Sequence, residues 1–136
     1  MRIDSRLEWS LVGLRMTIFL VMLLWTLDKF LHPAHSARVF ASFYGLAGLA
    51  PAAFLIVGLA ELALIVAFVC GLRPRLTYGA VLVLHAGSTL SSWRQYLDPF
   101  DHLLFFTAWP MLAACAALYA LRDHDRRLVL RPPSAE

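Results

Sequence analysis

The sequence predicts an all-α, polytopic membrane protein, a four-transmembrane-helix bundle with both termini in the cytoplasm. Three observations predict it. Of 136 residues, 60% are hydrophobic and only 15% are charged, a balance far more apolar than that of soluble domains. The charged residues gather in clusters and leave four long runs nearly free of charge, each close to the roughly 20 residues needed to cross the hydrocarbon layer. Most arginines flank those runs, where they set the orientation of a membrane protein. The net charge of +3 therefore reads as topology rather than as a nucleic-acid surface, and no nucleic-acid partner is expected.

The first span is expected at residues 11–31. Asp28 and Lys29 close its apolar run and no A-x-A cleavage site follows, so this helix is expected to be retained rather than removed as a signal peptide. The next stretch, HPAHSARVFASFYGLAGLA, is amphipathic and aromatic enough to lie along the membrane surface as a short helix. Spans two and three, at residues 51–72 and 76–93, are joined by Arg73-Pro74-Arg75, a connection so short that the two must be antiparallel neighbours. After a turn over Arg94 to Asp101, the fourth span covers residues 102–121. Within it Pro110 removes a backbone donor, which predicts a kink that frees the Phe106 carbonyl. Ala113, Ala114, Ala116, Ala117 and Ala120 allow a neighbouring helix to approach closely. The polar tail, residues 122–136, carries Pro132-Pro133 and is expected to be loosely ordered in the cytoplasm. One membrane domain takes up the sequence from 1 to 136.

Orientation follows from counting basic residues. Arg2, Arg6, Arg73, Arg75, Arg122, Arg126, Arg127 and Arg131 fall on one side, against Lys29, Arg38 and Arg94 on the other, so both termini are expected inside. Trp9, Trp25, Tyr44, Trp93, Tyr96 and Tyr119 lie near span ends, where amphipathic rings favour the interface. Eleven arginines against one lysine suit a bacterial genome rich in G and C, and the expected location is the bacterial inner (cytoplasmic) membrane.

Ionisable groups inside a span cost about 2.5–3.5 kcal/mol each at the centre on insertion scales, so each needs a partner or a cavity. Arg15 in the first span, Glu61 in the second and His85 in the third are such groups, with Lys29 near the outer end of the first. Helical side chains lean toward their own N-terminus, which brings Lys29 and Glu61 toward each other across a depth difference of about 13 Å at 1.5 Å per residue. Arg15, Glu61, Lys29 and His85 are the candidate interior polar site. In the third span His85, Ser88, Thr89 and Ser92 fall on one helical face, opposite Val81, Val83, Leu84 and Leu90. That polar face has two readings: hydroxyls bonded back to the helix as structural glue, or the wall of an outward-opening cavity rimmed by Arg94 and Tyr96 with Asp98, Asp101 and His102. His85 itself suits a proton relay, a quinone hydrogen bond or simple packing. His32-x-x-His35 has helical spacing but no third ligand, so no metal is expected, and no resident cofactor is expected either. Cys70 and Cys115 lie within spans with no C-x-x-C pair, and are read as packing residues.

With these residues in view, LRMTIFLVMLLWTLDKFLHP resembles the first helix of DoxX-like membrane proteins, its arginine being Arg15 and its lysine Lys29. GLAELALIVAFVCGL resembles that family's second helix, with Glu61 among small and aliphatic residues. The resemblance implies a four-helix bundle and an auxiliary or membrane-anchor subunit of a quinone-linked or oxidative-stress redox system. Two alternatives stand beside it: a small-solute or proton carrier acting as a homo-oligomer, and a membrane enzyme acting on a quinone or lipid. The expected partners are the lipid bilayer and either another membrane protein or a second copy of the chain.

Overall fold

A computed structural model describes residues 3–130, and among these the chain is entirely helical. The long elements are α1 (Ile3–Leu31), α2 (Pro33–Tyr44), α3 (Pro51–Val69), α4 (Pro74–Ser91) and α6 (Ala108–Ala120), with the short α5 (Trp93–Tyr96) after α4 and a 3-10 segment, Leu103–Thr107, leading into α6. Three helical stretches are long and apolar enough to cross a membrane: Asp4–Leu31, Pro51–Val69 and Leu103–Ala120.

α1 packs on α3 and α6, and α4 packs on the same two, so α1 and α4 stand diagonally opposed in a four-membered ring. The core where the helices meet holds Leu11, Ile18 and Met22 from α1, Ile65 and Phe68 from α3, Tyr78 and Val81 from α4, and Cys115 and Leu118 from α6. Val81 thus belongs to the core, not to the lipid-compatible face expected from the sequence. Where α1 crosses α3 the approach is close: a Cβ on Gly58 would stand 2.8 Å from the Phe30 ring. Beside this apolar core, several polar groups are buried and many large apolar side chains are exposed. Arg15, Thr26, His85, Thr89 and Asp125 are buried, while Leu24, Ile56, Leu59, Val83 and Leu90 are exposed, a distribution suited to an apolar solvent.

Local sequence explains most boundaries. Pro33, Pro51 and Pro74 each stand at the first turn of their helix, where a missing N–H costs nothing. α2 ends at Gly45, which takes the left-handed conformation and donates its N–H to the Phe40 carbonyl. The link from α3 to α4 is made by Gly71 and Arg73, both at positive φ, with the Thr77 hydroxyl donating to the Leu72 carbonyl. The expected kink at Pro110 takes another form. α6 starts at Ala108, so Pro110 lies in its first turn, and the break falls upstream as a change from 3-10 to α-helix. Of the alanine series, Ala114 and Ala117 are half-buried, whereas Ala113, Ala116 and Ala120 are exposed.

The largest departure from expectation is the tail. Rather than being loose, residues 122–130 fold back over the end of the bundle where α3 ends and α4 begins, and the Leu130 N–H donates to the Cys70 carbonyl at 2.8 Å. Polarity misleads here because the tail's polar groups find partners inside the protein. Residues 1–2 and 131–136, including Arg2, Arg131 and Pro132-Pro133, lie outside the described residues.

Candidate functional site

The interior polar residues divide into two groups at opposite ends of the bundle. At the end where the tail docks, Arg15 is wholly buried and its Nη1 donates to Asp125 Oδ2 at 2.7 Å. Its Nη2 donates to the carbonyls of Arg127 (2.7 Å) and Leu128 (2.9 Å), and the Tyr78 hydroxyl donates to Asp125 Oδ2 at 2.6 Å. Arg15 is therefore not part of a site with Glu61, Lys29 and His85: it anchors the tail. A buried guanidinium demands a carboxylate, but Asp4, Glu8, Asp123 and Asp125 all stand near that end and spacing along the chain does not select among them. Nearby, Arg127 pairs with Glu8 at 2.6 Å and lies over the Trp9 ring.

At the other end, Lys29 Nζ and Glu61 Oε2 meet directly at 2.8 Å, each side chain only 12% exposed. The lean of both side chains closes the depth difference without a bridging water. Next to them Asp28 receives two imidazoles, His32 Nδ1 at 3.1 Å on Oδ1 and His35 Nδ1 at 2.5 Å on Oδ2. Helical spacing on α1 and the start of α2 brings these three together, so the His32-x-x-His35 pair braces α2 against α1 through a carboxylate.

Because α1 and α4 oppose each other diagonally, the space between their halves away from the docked tail is not filled by backbone packing. Side chains cross it instead. The Trp25 ring of α1 stacks on the His85 ring of α4, with centroids 5.9 Å apart and planes at 27°. On one side lies a cavity of about 760 Å³ bordered by α1, α2, α3 and α4, with Asp28, Lys29, His35 and Glu61 in its wall. On the other lies a cavity of about 630 Å³ bordered by α1, α4, the 3-10 segment and α6. Trp25, His85, Ser88, Ser92 and Phe105 line both. Volumes of several hundred Å³ are those of small-molecule sites.

The polar face of α4 fulfils parts of both readings. Thr89 donates to the His85 carbonyl at 2.8 Å and Ser92 to the Ser88 carbonyl at 3.3 Å, which is structural back-bonding. The Ser88 hydroxyl, half-buried in the wall of both cavities, has no protein partner among the described residues. Arg94 and Tyr96 do not line either cavity. Arg94 lies over the Trp93 ring, and Tyr96 packs against Phe106 and Trp109 while donating its hydroxyl to the Thr89 carbonyl at 2.8 Å. Burial pushes the Tyr96 phenol above its ordinary pKa, keeping it a neutral donor to that carbonyl. The turn after α4 leaves Arg94 exposed and packs Tyr96 against the 3-10 segment and α6, which spacing along the chain does not reveal. Trp25, read from the sequence as an interfacial anchor, and Phe105, for which the sequence carried no signal, are among the lining residues.

A labelling prediction follows. A cysteine in place of Ser88 is expected to react with a water-soluble thiol reagent, and one in place of Leu90, exposed on the outer face of the bundle, to react at least tenfold more slowly in the membrane. Val83 is not a control for this comparison, because it borders the larger cavity. Equal rates at 88 and 90 would remove the distinction between cavity and lipid faces.

Fold and site together define a helical protein with three membrane-length apolar helices, polar groups buried beside an apolar core, and paired cavities. The chain matches no protein-family model, no curated protein and no solved structure.

Proposed function

We propose that this chain is a DoxX-like, four-span protein of the bacterial inner membrane, with both termini cytoplasmic, that acts as an auxiliary subunit of a redox system and holds a quinone in its outer cavities. The observation that carries this reading is the 760 Å³ cavity, where a planar Trp25–His85 pair and a Lys29–Glu61 ion pair share one wall. A flat ring with polar edges and an apolar body suits such a wall, and the cavity's apolar lining, with Leu24, Val57 and Leu84, suits a prenyl-type tail.

α4 supplies the fourth span in this proposal. Its 18 residues extend about 27 Å at 1.5 Å per residue, close to the hydrocarbon thickness. Its modest apolarity reflects the inward face of Thr77, His85, Thr89 and Ser92, all buried, while Leu76 and Leu90 face outward. Averaging over a helix counts both faces. The bilayer is the first partner, and the exposed outer faces leave room for a membrane-protein partner or a second copy.

Purification in mild detergent with mass spectrometry of the organic extract tests the ligand: a copurifying quinone is expected, and only phospholipid would overturn it. Topology is tested by single cysteines in intact cells. Asp4→Cys and Leu130→Cys are expected to resist an impermeant reagent, whereas Ala34→Cys and Gln95→Cys react. The opposite pattern would reverse the orientation.

A further inference from the structure

A glycine inside a helix weakens it relative to alanine, so its presence there calls for a reason. At Gly58 and Gly79 the reason is packing: an added Cβ would stand 2.8 Å from the Phe30 ring and 3.3 Å from the Tyr119 ring. At Gly87, inside α4, an added Cβ would meet nothing within 4 Å, so no neighbour requires the missing side chain. Gly13 is equally open but borders neither cavity, whereas Gly87 forms part of the wall of the 760 Å³ cavity. What Gly87 provides is the space itself.

The wall on either side of Gly87 changes in polarity along α4. Val83 and Leu84 precede it and Ser88 and Ser91 follow it, all bordering the same cavity at helical spacing. The hydroxyls lie toward the end where Asp28, Lys29 and His35 stand, so the cavity has an apolar end and a polar end. The apolar end is open. Val83 is 69% exposed and Leu84 47% although both border the cavity, and side chains facing the opposite wall of a closed chamber would be covered. The polar end is roofed by α2, which packs on α1, α3 and α4 and contributes Ser36, Val39 and Phe40 to the wall. With α4 as the fourth span, Val83 and Leu84 in its middle lie at hydrocarbon depth, where an opening meets lipid tails rather than water.

We infer that the larger cavity is a groove open sideways to the bilayer, that its ligand enters from the lipid phase, and that Gly87 keeps clear the stretch of wall over which the ligand's apolar tail lies. This rests on the four-span, quinone-binding reading and adds the route of entry and the residue that sets it. The ring occupies the polar end, and the tail leaves past Gly87 and Val83 into lipid. A side chain larger than glycine's at position 87 would stand in the path of the tail but not in the place of the ring.

The test is equilibrium binding of two probes to the full chain in phospholipid nanodiscs, with probe concentration expressed per lipid: a tailless ubiquinone analogue, and the same ring with a decyl tail. The wild type is expected to bind both. Gly87→Phe is expected to weaken the tailed probe by about tenfold or more and to leave the tailless one within about twofold. Equal weakening of both, or no weakening of either, overturns the inference and leaves the quinone reading in place. Failure of both probes to bind the wild type overturns the quinone reading. Gly87→Ala is expected to melt no lower than the wild type, and a lower melting temperature would show that packing does need the glycine and would overturn its assigned role. One measurement needs neither the probes nor the phenylalanine variant: a fluorophore on Val83→Cys, with Cys70 and Cys115 replaced by alanine. Quenching by phospholipids brominated along their acyl chains supports the sideways opening, and no quenching overturns it.

Discussion

Asp125→Ala is expected to destabilise the protein by about 3–5 kcal/mol, the usual consequence of stripping the partner from a buried ion pair. Arg15 and Asp125 are both completely buried, so neither gains hydration that would soften the loss. The remaining partners of Arg15, the Tyr78 hydroxyl and the carbonyls of Arg127 and Leu128, accept hydrogen bonds but offer no neutralising charge. The tail should also come away from the bundle. Gly71 shows how closely it docks: at φ 69 a Cβ there would stand 2.5 Å from Val129, so even Gly71→Ala pushes against it. The measurements are thermal unfolding in detergent and limited proteolysis beyond residue 121. The double variant Arg15→Met/Asp125→Ala is expected to lose less than the two single changes added together, because removing both charges leaves none unpaired. An unchanged melting temperature and a protease-resistant tail in Asp125→Ala would show that the ion pair does not hold the tail.

Glu61→Gln is expected to weaken both stability and quinone binding, by about 1.5–3 kcal/mol for the loss of the anion that Lys29 faces. The amide preserves shape and one hydrogen bond to Lys29, so the change isolates the charge. Lys29 keeps its bond to the Trp25 carbonyl at 3.2 Å but no longer has an anion, in a wall where both side chains are largely shielded from solvent. A charge exchange separates pairing from position: Lys29→Glu and Glu61→Lys are each expected to abolish accumulation in the membrane, and their combination to restore much of it. If Glu61→Gln keeps full stability and binding, the ionised carboxylate is unnecessary and the proposed role of the pair is wrong.

The sequence alone determined the helical class and the order of its elements, though α1 begins eight residues before the expected 11 and α6 six residues after the expected 102. Long uncharged runs bounded by arginines and prolines leave few other structures, since a backbone in hydrocarbon must satisfy its own hydrogen bonds. It also brought Lys29 and Glu61 toward each other, because side-chain lean on a helix is a local property that needs no knowledge of packing. The buried face of His85, Thr89 and Ser92 followed equally from helical period. Tertiary structure decided what lies far apart along the chain. Arg15 and Asp125 are 110 residues apart, and no periodicity links a helix to a polar tail, so only the fold shows that this tail is a strap over a buried guanidinium. The diagonal placement of α1 and α4 likewise turned Trp25 from a likely-looking interface ring into a partition between two cavities, and turned Arg94 and Tyr96 away from them. Local geometry fixes the direction in which a side chain points; what it meets there depends on which helices pack as neighbours, and that is set by the summed contacts of the whole bundle.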